Sequence, residues 1–144
     1  MEAQINFRRM PSVFTKIVKG EIPCHKIAET ELFFAFLDIR PLAAGHTLVI
    51  PKEEVDYIFD LNDQVLGSLM LFAKKVARAV EAAIPCKRIG LAVVGLEVPH
   101  VHIHLIPLEH VQDINFSRPP VQLSSDEFGE IAEKIRAQLL PADS

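Results

Sequence analysis

Residues 100–106 read His-Val-His-Ile-His-Leu-Ile, and this alternation constrains the fold more than any other segment of the chain. Successive side chains of a β-strand point to opposite faces, so a strand here places His100, His102 and His104 on one face. The aliphatic residues between them occupy the other face and are expected to face the core. The pattern therefore predicts a strand that presents three imidazoles together.

Three imidazoles on one strand face are expected to be mostly neutral near pH 7, because like charges repel and each lowers the others' affinity for protons. A neutral imidazole is a nucleophile, and a reference pKa of about 6.5 leaves it unprotonated. Half of the six histidines of the chain fall in this run, which makes simple decoration of an exposed sheet a poor interpretation. Metal binding stays open, since His-x-His is a recurrent ligand pair and His25, His46 or His110 is available as a third ligand.

The remaining sequence mixes helical and strand patterns. The longest helical pattern is stopped by Pro85, and a capping box at Ser124 precedes the last one. The expected elements are a short helix over 12–19, strands over 32–37, 47–50 and 89–94, a long helix over 62–84 and a C-terminal helix from 124. Together with the histidine strand they predict an α+β domain with an antiparallel sheet of about five strands, covered on one face. Strand order cannot be derived at this stage.

Length and composition limit the class of protein. A chain of 144 residues, 49% of them hydrophobic, fills one core, and we interpret 1–11 as an N-terminal extension and 12–144 as a single domain. Its net charge of -4 gives no positive field for a nucleic-acid partner. No stretch reaches the roughly 18 apolar residues of a membrane span, so no membrane partner is expected. Cys24 and Cys86 form no Cys-x-x-Cys pair, which favours a reducing, cytoplasmic location.

The run at 100–106 resembles the His-φ-His-φ-His-φ-φ signature of the histidine triad (HIT) superfamily. Residues 13–23 look like the opening helix and turn of that family, and residues 35–52 look like its next conserved block. The resemblance spans most of the chain from 12 to 107 and is strongest to the bacterial Hint-like branch of nucleotide hydrolases and transferases.

This resemblance implies a homodimer of α+β subunits with a nucleotide cleft beside the histidine strand. In such proteins the middle histidine, here His102, attacks the α-phosphorus and forms a nucleotidyl-histidine, which water hydrolyses to a nucleoside monophosphate. The implied substrates are nucleoside phosphoramidates or dinucleoside polyphosphates, and the implied reaction requires no cofactor.

The resemblance also assigns the other site residues. His100 and His104 match the flanking histidines that orient the nucleophile and hold phosphate oxygens, and His46 matches the fourth histidine of the family site. Asp38 matches the carboxylate that binds the ribose hydroxyls. The positions that match the apolar walls around the base, usually a purine, are Phe14, Ile17, Phe36 and Ile39. Without the resemblance, Phe14, Ile17 and Phe36 would be interpreted as core residues, and Asp38 as a turn carboxylate.

The sequence departs from the family pattern in two places. Many bacterial members bind a structural zinc through a Cys-x-x-Cys in the opening helix and a histidine after the second strand, but here Ser12, Thr15 and Glu54 stand at these positions. We therefore predict no metal site of that kind. The loop before His100 is shorter than usual, and Glu97 replaces a serine or threonine.

Glu97 occupies the place of that hydroxyl, and its carboxylate near a phosphate is repulsive when ionised. Two alternatives to the nucleotide hydrolase therefore stay open. The first is a catalytically weak nucleotide-binding interaction module, and the second is a metal-dependent hydrolase that uses the His-x-His strand.

Overall fold

The chain folds around a five-stranded antiparallel sheet, and a computed structural model describes residues 10–139. The strand order is β1-β2-β3-β5-β4, which the sequence left open. The predicted α+β fold with about five antiparallel strands is confirmed. The strands are β1 (Lys26–Glu29), β2 (Phe33–Leu37), β3 (Thr47–Pro51), β4 (Arg88–Ala92) and β5 (Ile103–Leu108).

Three α-helices accompany the sheet, and two 3-10 turns, Ile58–Asp60 and Val111–Asp113, lie in its connections. The helices are α1 (Val13–Val18), α2 (Asp63–Ala83) and α3 (Ser125–Arg136). Each begins at a residue whose side chain accepts a hydrogen bond from the first turn: Ser12, Asn62 and Ser124. All three helices lie where the sequence predicts them, because side-chain caps and apolar spacing are local signals. Most of the predicted N-terminal extension, residues 1–9, lies outside the described residues, as do residues 140–144.

The two faces of the sheet carry different layers. On one face α2 and α3 bury the main core, into which Ile103 and Leu105 of β5 point. On the other face a second apolar cluster lies beneath α1, and its buried members are Phe14, Phe34, Phe36, Leu48 and Ile50. His104 pairs in register with Leu48, so its side chain lies on this second face. The histidine face of β5 is thus turned towards α1.

Two strand predictions differ from the structure. Strand β1 was not predicted, because four residues with a single exposed lysine give too short a pattern. Strand β5 begins at Ile103 instead of His100. The reason is visible in the backbone: the N–H of His100 bonds the carbonyl of Val98, and that of Val101 bonds the carbonyl of Val55 in the loop after β3. Two of the three histidines therefore lie just before the strand.

Gly45 sets the position of His46 at the start of β3. Its φ of +94° is a left-handed conformation, and a Cβ there would lie 2.8 Å from Cγ1 of Ile84. Only glycine fits this turn without displacing the end of α2. Within residues 10–139, no helix is both long and apolar enough to cross a membrane.

Candidate active site

Four histidines meet on the α1 side of the sheet, and they are the four that the resemblance assigned to the site. His46 precedes β3, His104 lies in β5, and His100 and His102 lie just before β5. All four are buried, with exposed fractions between 0% for His100 and 8% for His104. The ring of His104 is 5.2 Å from that of His46 and 5.0 Å from that of His102, measured between centroids.

The hydrogen bonding of His102 defines which of its nitrogens is free. Nδ1 lies 2.7 Å from the carbonyl oxygen of His100. A carbonyl only accepts, so Nδ1 carries the proton and donates it to this bond. In the neutral ring Nε2 then keeps its lone pair. The ring of Phe14 contacts the imidazole edge-on at 5.0 Å and holds one side of it.

A second chain of hydrogen bonds orders His46 and His104. The backbone N–H of Leu42 donates to Nδ1 of His46 at 2.9 Å, so Nε2 of His46 carries the proton. That nitrogen lies 2.9 Å from Nδ1 of His104 and donates to it. The proton of neutral His104 is therefore on Nε2. A carboxylate oxygen of Asp38 lies 3.5 Å from Nε2 of His46 and adds a longer contact.

Burial keeps these rings uncharged. It is the largest cause that lowers the pKa of His46 to about 4, and the charge of a protonated His102 adds to it. Burial also lowers the pKa of His104 to about 4, helped by His46 and His102 and opposed by Asp38. The pKa of His100 is lowered by burial as well, against the Pro51 carbonyl and Glu54. The sequence predicted that all three triad imidazoles are mostly neutral; for His100 and His104 the lowered pKa agrees with this, but desolvation contributes more than the mutual repulsion from which we argued it.

The residues predicted to bind the nucleoside lie around this cluster. Asp38 is half-buried, and one of its oxygens accepts from the N–H of Arg40 at 2.8 Å. Phe14 and Phe36 are buried and contact each other edge-on at 5.6 Å, and Ile17 packs on the same cluster. Ile39 is 71% exposed, beside Asp38 and outside both apolar clusters. Their contact with a base stays a prediction.

Two further residues flank the site. Glu97 is exposed in the loop before His100, where the sequence places it. Phe116, in the connection between β5 and α3, contacts His104 edge-on with ring centroids 4.7 Å apart, and it is 45% exposed. Sequence reasoning missed Phe116, because a lone aromatic residue in a polar connection carries no periodic or motif signal.

An oxygen cluster lies next to the ring of His100. It is formed by Ser12, Thr15 and Glu54. The hydroxyl of Ser12 lies 2.7 Å from Nδ1 of His100, and that of Thr15 lies 3.4 Å from the same atom. One oxygen of Glu54 accepts from the N–H of Ser12 and from the hydroxyl of Thr15, both at 2.6 Å. Nε2 of His100 donates to the carbonyl of Pro51 at 2.8 Å.

The oxygen cluster does not fit a structural zinc ion. Such sites use thiolate and imidazole ligands, whereas Ser12 and Thr15 offer neutral hydroxyls. The single lone pair of His100 is engaged by Ser12, and Glu54 receives two hydrogen bonds. Although burial raises the pKa of Glu54, the bonds from Ser12 and Thr15 outweigh it and lower this pKa below its usual value. Hydrogen bonds therefore hold together Ser12, Thr15 and Glu54, the positions at which the resemblance implied metal ligands.

The HIT domain family matches residues 19–111 of the chain. Adenosine 5'-monophosphoramidase of Schizosaccharomyces pombe is 37% identical over 133 residues, which cover 90% of this chain and 99% of that protein. Among solved structures, a HIT-like protein of Bartonella henselae involved in cell-cycle regulation has a TM-score of 0.77 at 30% identity, with 90% of this chain and 96% of that one covered.

A second solved structure is similar to this chain over the same share of its length. It is a zinc-bound histidine triad family protein of Mycobacterium smegmatis, with a TM-score of 0.75 at 30% identity over 90% of this chain and 93% of that one.

The family match, the shared fold and the four converging histidines lead to one classification. The chain belongs to the HIT family, and its similarity to relatives over nearly its whole length identifies it as a hydrolase of that family.

Proposed function

We propose that this protein is a nucleotidyl hydrolase that cleaves purine nucleotide derivatives at the α-phosphate through a nucleotidyl-His102 intermediate. The observation that carries the proposal is the bond from Nδ1 of His102 to the carbonyl of His100, which leaves the Nε2 lone pair as the nucleophile. The substrate class follows the phosphoramidase of S. pombe, with nucleoside phosphoramidates first and dinucleoside polyphosphates second.

The reaction proceeds in two displacements. In the first, Nε2 of His102 forms a bond to the α-phosphorus while the bond from phosphorus to the leaving group breaks, and the leaving amine takes up a proton from solvent as it departs. The ring, now substituted on Nε2 and protonated on Nδ1, carries a positive charge that the His100 carbonyl stabilises. In the second displacement water attacks phosphorus and releases a proton to solvent, the phosphorus–nitrogen bond breaks, and the nucleoside monophosphate leaves with neutral His102 regenerated.

His104 and His46 support the charge on phosphate. Because Nδ1 of His104 accepts from His46, its Nε2 carries a proton that is available to a phosphate oxygen or to the leaving group. The backbone of Leu42 fixes His46 in turn. Both rings are uncharged before substrate binds, so they act as hydrogen-bond donors held in place by buried contacts.

The nucleoside is proposed to lie beside Asp38. The second carboxylate oxygen of Asp38 is available to the ribose hydroxyls, since the first accepts from Arg40. Exposed Ile39 and half-buried Ile17 would contact the base directly, while Phe14 and Phe36 support this wall from the apolar cluster behind it. Purines offer the larger ring for such a surface.

The geometry does not favour the metal-dependent alternative. Ligand atoms of Asp38, His46 and His104 do lie within 4.8 Å of one another. Yet His46 receives the N–H of Leu42 on Nδ1 and therefore bears its proton on Nε2, the atom that faces the other two groups. A metal ion there would require His46 to give up that hydrogen bond.

We also propose that the protein forms a homodimer through the edge of β4. The other edge strand, β1, is covered by α3, and Arg136 donates to the carbonyl of Lys26 there at 2.6 Å. Among the described residues, no side-chain hydrogen bond of this kind reaches strand β4, and Leu91, on the face where α2 packs, is 47% exposed. An open edge with an exposed aliphatic residue suits pairing with a second copy.

The free thiols of Cys24 and Cys86 fit the reducing cytosol.

The test is a mass measurement of protein quenched within milliseconds of mixing with adenosine 5'-phosphoramidate. The expected result is an adenylyl adduct on the peptide that contains His102, followed by release of AMP. The His102→Ala variant should form no adduct and release no AMP, while its binding of AMP persists. A hydrolase reaction without any adduct on His102 would exclude the covalent mechanism.

The same samples separate the alternatives. Binding of AMP without turnover by the parent protein would identify the interaction module instead. Activity that disappears with a chelator, and returns with one added metal ion per chain, would identify the metal-dependent hydrolase. Full activity of chelator-treated protein is expected.

A further inference from the structure

The oxygen cluster holds the ring of His100. Each hydroxyl and imidazole proton in this arrangement can be assigned to one hydrogen bond. Ser12 accepts from the N–H of Thr15 at 3.0 Å, so its own hydroxyl proton is free for Nδ1 of His100. The Thr15 proton goes to Glu54. The opposite arrangement, with the proton on Nδ1, would turn an unprotonated Nε2 towards the Pro51 carbonyl, and two acceptors would face each other at 2.8 Å.

The oxygen cluster also joins three segments of the chain. Glu54 ties the loop after β3 to the start of α1, because it bonds the N–H of Ser12 and the hydroxyl of Thr15. The same loop is tied to the triad segment by Pro51, which accepts from His100, and by Val55, which accepts from Val101. The position of the His100 backbone therefore depends on contacts from both α1 and the loop.

We propose that Ser12 and Glu54 are positioning residues for the nucleophile. They fix the ring of His100, and through its backbone they hold the carbonyl that keeps the proton of His102 on Nδ1 and its lone pair on Nε2. This role rests on the proposed function. Neither residue needs to touch substrate, since the effect passes from the His100 ring to the His100 carbonyl and then to His102. Helix α1 also carries Phe14, whose ring contacts His102, so the cluster sets two sides of the nucleophile together.

The experiment compares removal of cluster groups with conservative replacement. In Ser12→Ala and Glu54→Ala, kcat for adenosine 5'-phosphoramidate should fall by about tenfold or more with KM within about threefold of the parent, because a misplaced nucleophile loses rate without losing binding. Ser12→Thr keeps the hydroxyl and Glu54→Gln keeps an acceptor oxygen, so both should retain most of kcat.

A matched control removes a helix cap of the same kind elsewhere. Ser124 caps α3 through its hydroxyl, and its N–H is bonded by Glu127, just as the N–H of Ser12 is bonded by Glu54. In the described part of the chain, the Ser124 hydroxyl bonds only the start of α3. Ser124→Ala should lose a similar amount of helix stability with kcat unchanged.

The second readout is the tautomer of His102 in the free protein, measured from its ring ¹⁵N shifts. The parent, Ser12→Thr and Ser124→Ala should show one tautomer protonated on Nδ1, whereas Ser12→Ala and Glu54→Ala should show a mixture. An unchanged tautomer or an unchanged kcat in Ser12→Ala overturns the proposal, as does an equal loss of kcat in Ser124→Ala. A parent protein without turnover would refute the proposed function, and the tautomer comparison would still decide the positioning role.

Discussion

Nε2 of His46 lies 2.9 Å from Nδ1 of His104, and both rings are almost completely buried. His46 therefore accepts from Leu42 and donates to His104, and His104 accepts from His46, without either ring carrying charge. A proton added to either ring would place two N–H groups against each other, where burial limits their compensation by water. The pair couples the stability of the fold to the charge state of the site.

Stability should fall as the pH drops below 6.5. His46 and His104 have pKa values of about 4 in the folded protein, against about 6.5 when unfolded. Between these values the unfolded chain binds more protons, so the free energy of unfolding decreases by up to about 1.4 kcal/mol per histidine and pH unit. Urea unfolding at pH 7.5, 6.0 and 5.0 measures this slope. Well above pH 6.5, where both the folded and the unfolded chain are unprotonated at these rings, they contribute no pH dependence.

The source of that slope can be checked with His46→Gln. Removing His46 should reduce the slope between pH 6 and 5 by the contribution of one ring, up to about 1.4 kcal/mol per pH unit, while His104 and His100 still contribute. Carboxylates with lowered pKa values, such as Glu54, titrate at lower pH and leave this window clear. Equal unfolding free energies at pH 7.5 and 5.0 would contradict the buried neutral pair.

Asp38→Asn should weaken substrate binding more than it slows the reaction. The asparagine oxygen can still accept from Arg40, so the turn is kept while the charge offered to the ribose is lost. A hydrogen bond to a charged group is worth about 1.5–3 kcal/mol, which corresponds to a rise in KM of about 10-fold to 100-fold. The measurement is KM and kcat for adenosine 5'-phosphoramidate.

A substrate without the ribose hydroxyls provides the control for Asp38. For the 2',3'-dideoxy analogue, the parent and Asp38→Asn should have similar KM values, because the lost interaction is absent from both. If Asp38→Asn weakens binding of both substrates equally, the carboxylate acts through His46 or the local turn instead of through ribose.

The parts of the site that depend on neighbouring residues could be predicted from local sequence patterns. The alternation at residues 100–106 indicates that His102 and His104 lie side by side, and the capping serines indicate where helices begin. These signals need only neighbouring residues. The resemblance to the HIT family added His46 and Asp38, which no local pattern links to the histidine strand.

The contacts between distant segments could not be derived in this way. Glu54 lies 42 residues from Ser12, and no local pattern links them; the resemblance matched both to zinc-ligand positions but did not predict a hydrogen bond. Phe116 reaches His104 from an irregular connection, and strand β1 is too short for a reliable pattern. Strand order depends on which edges pair across the whole chain, and alternation within one strand does not encode it.

Leu91→Glu should convert the proposed homodimer to a monomer. A carboxylate on the open edge strand places charge where a second β4 would pair, and its desolvation opposes association. Light scattering after size exclusion measures the mass directly, against the 16.1 kDa of one chain. Leu32→Glu, at an exposed leucine beside β2, is the matched control and should leave the mass unchanged. A parent protein that is monomeric at all concentrations would rule out the dimer.

The triple variant Ser12→Cys, Thr15→Cys and Glu54→His should bind one zinc ion per chain. The oxygens of Ser12 and Thr15 lie 2.7 and 3.4 Å from Nδ1 of His100, and Thr15 lies 2.6 Å from Glu54. These separations are close to the roughly 3.5 Å between neighbouring ligand atoms of a tetrahedral zinc site. Thiolates and a second imidazole would supply the ligands that the parent lacks.

Elemental analysis after refolding with zinc, and the absorption of the cobalt form, measure the site. The double cysteine variant without Glu54→His should bind more weakly by at least tenfold, about 1.4 kcal/mol. A triple variant that remains metal-free would mean that these four side chains do not converge in solution as they do in the structure.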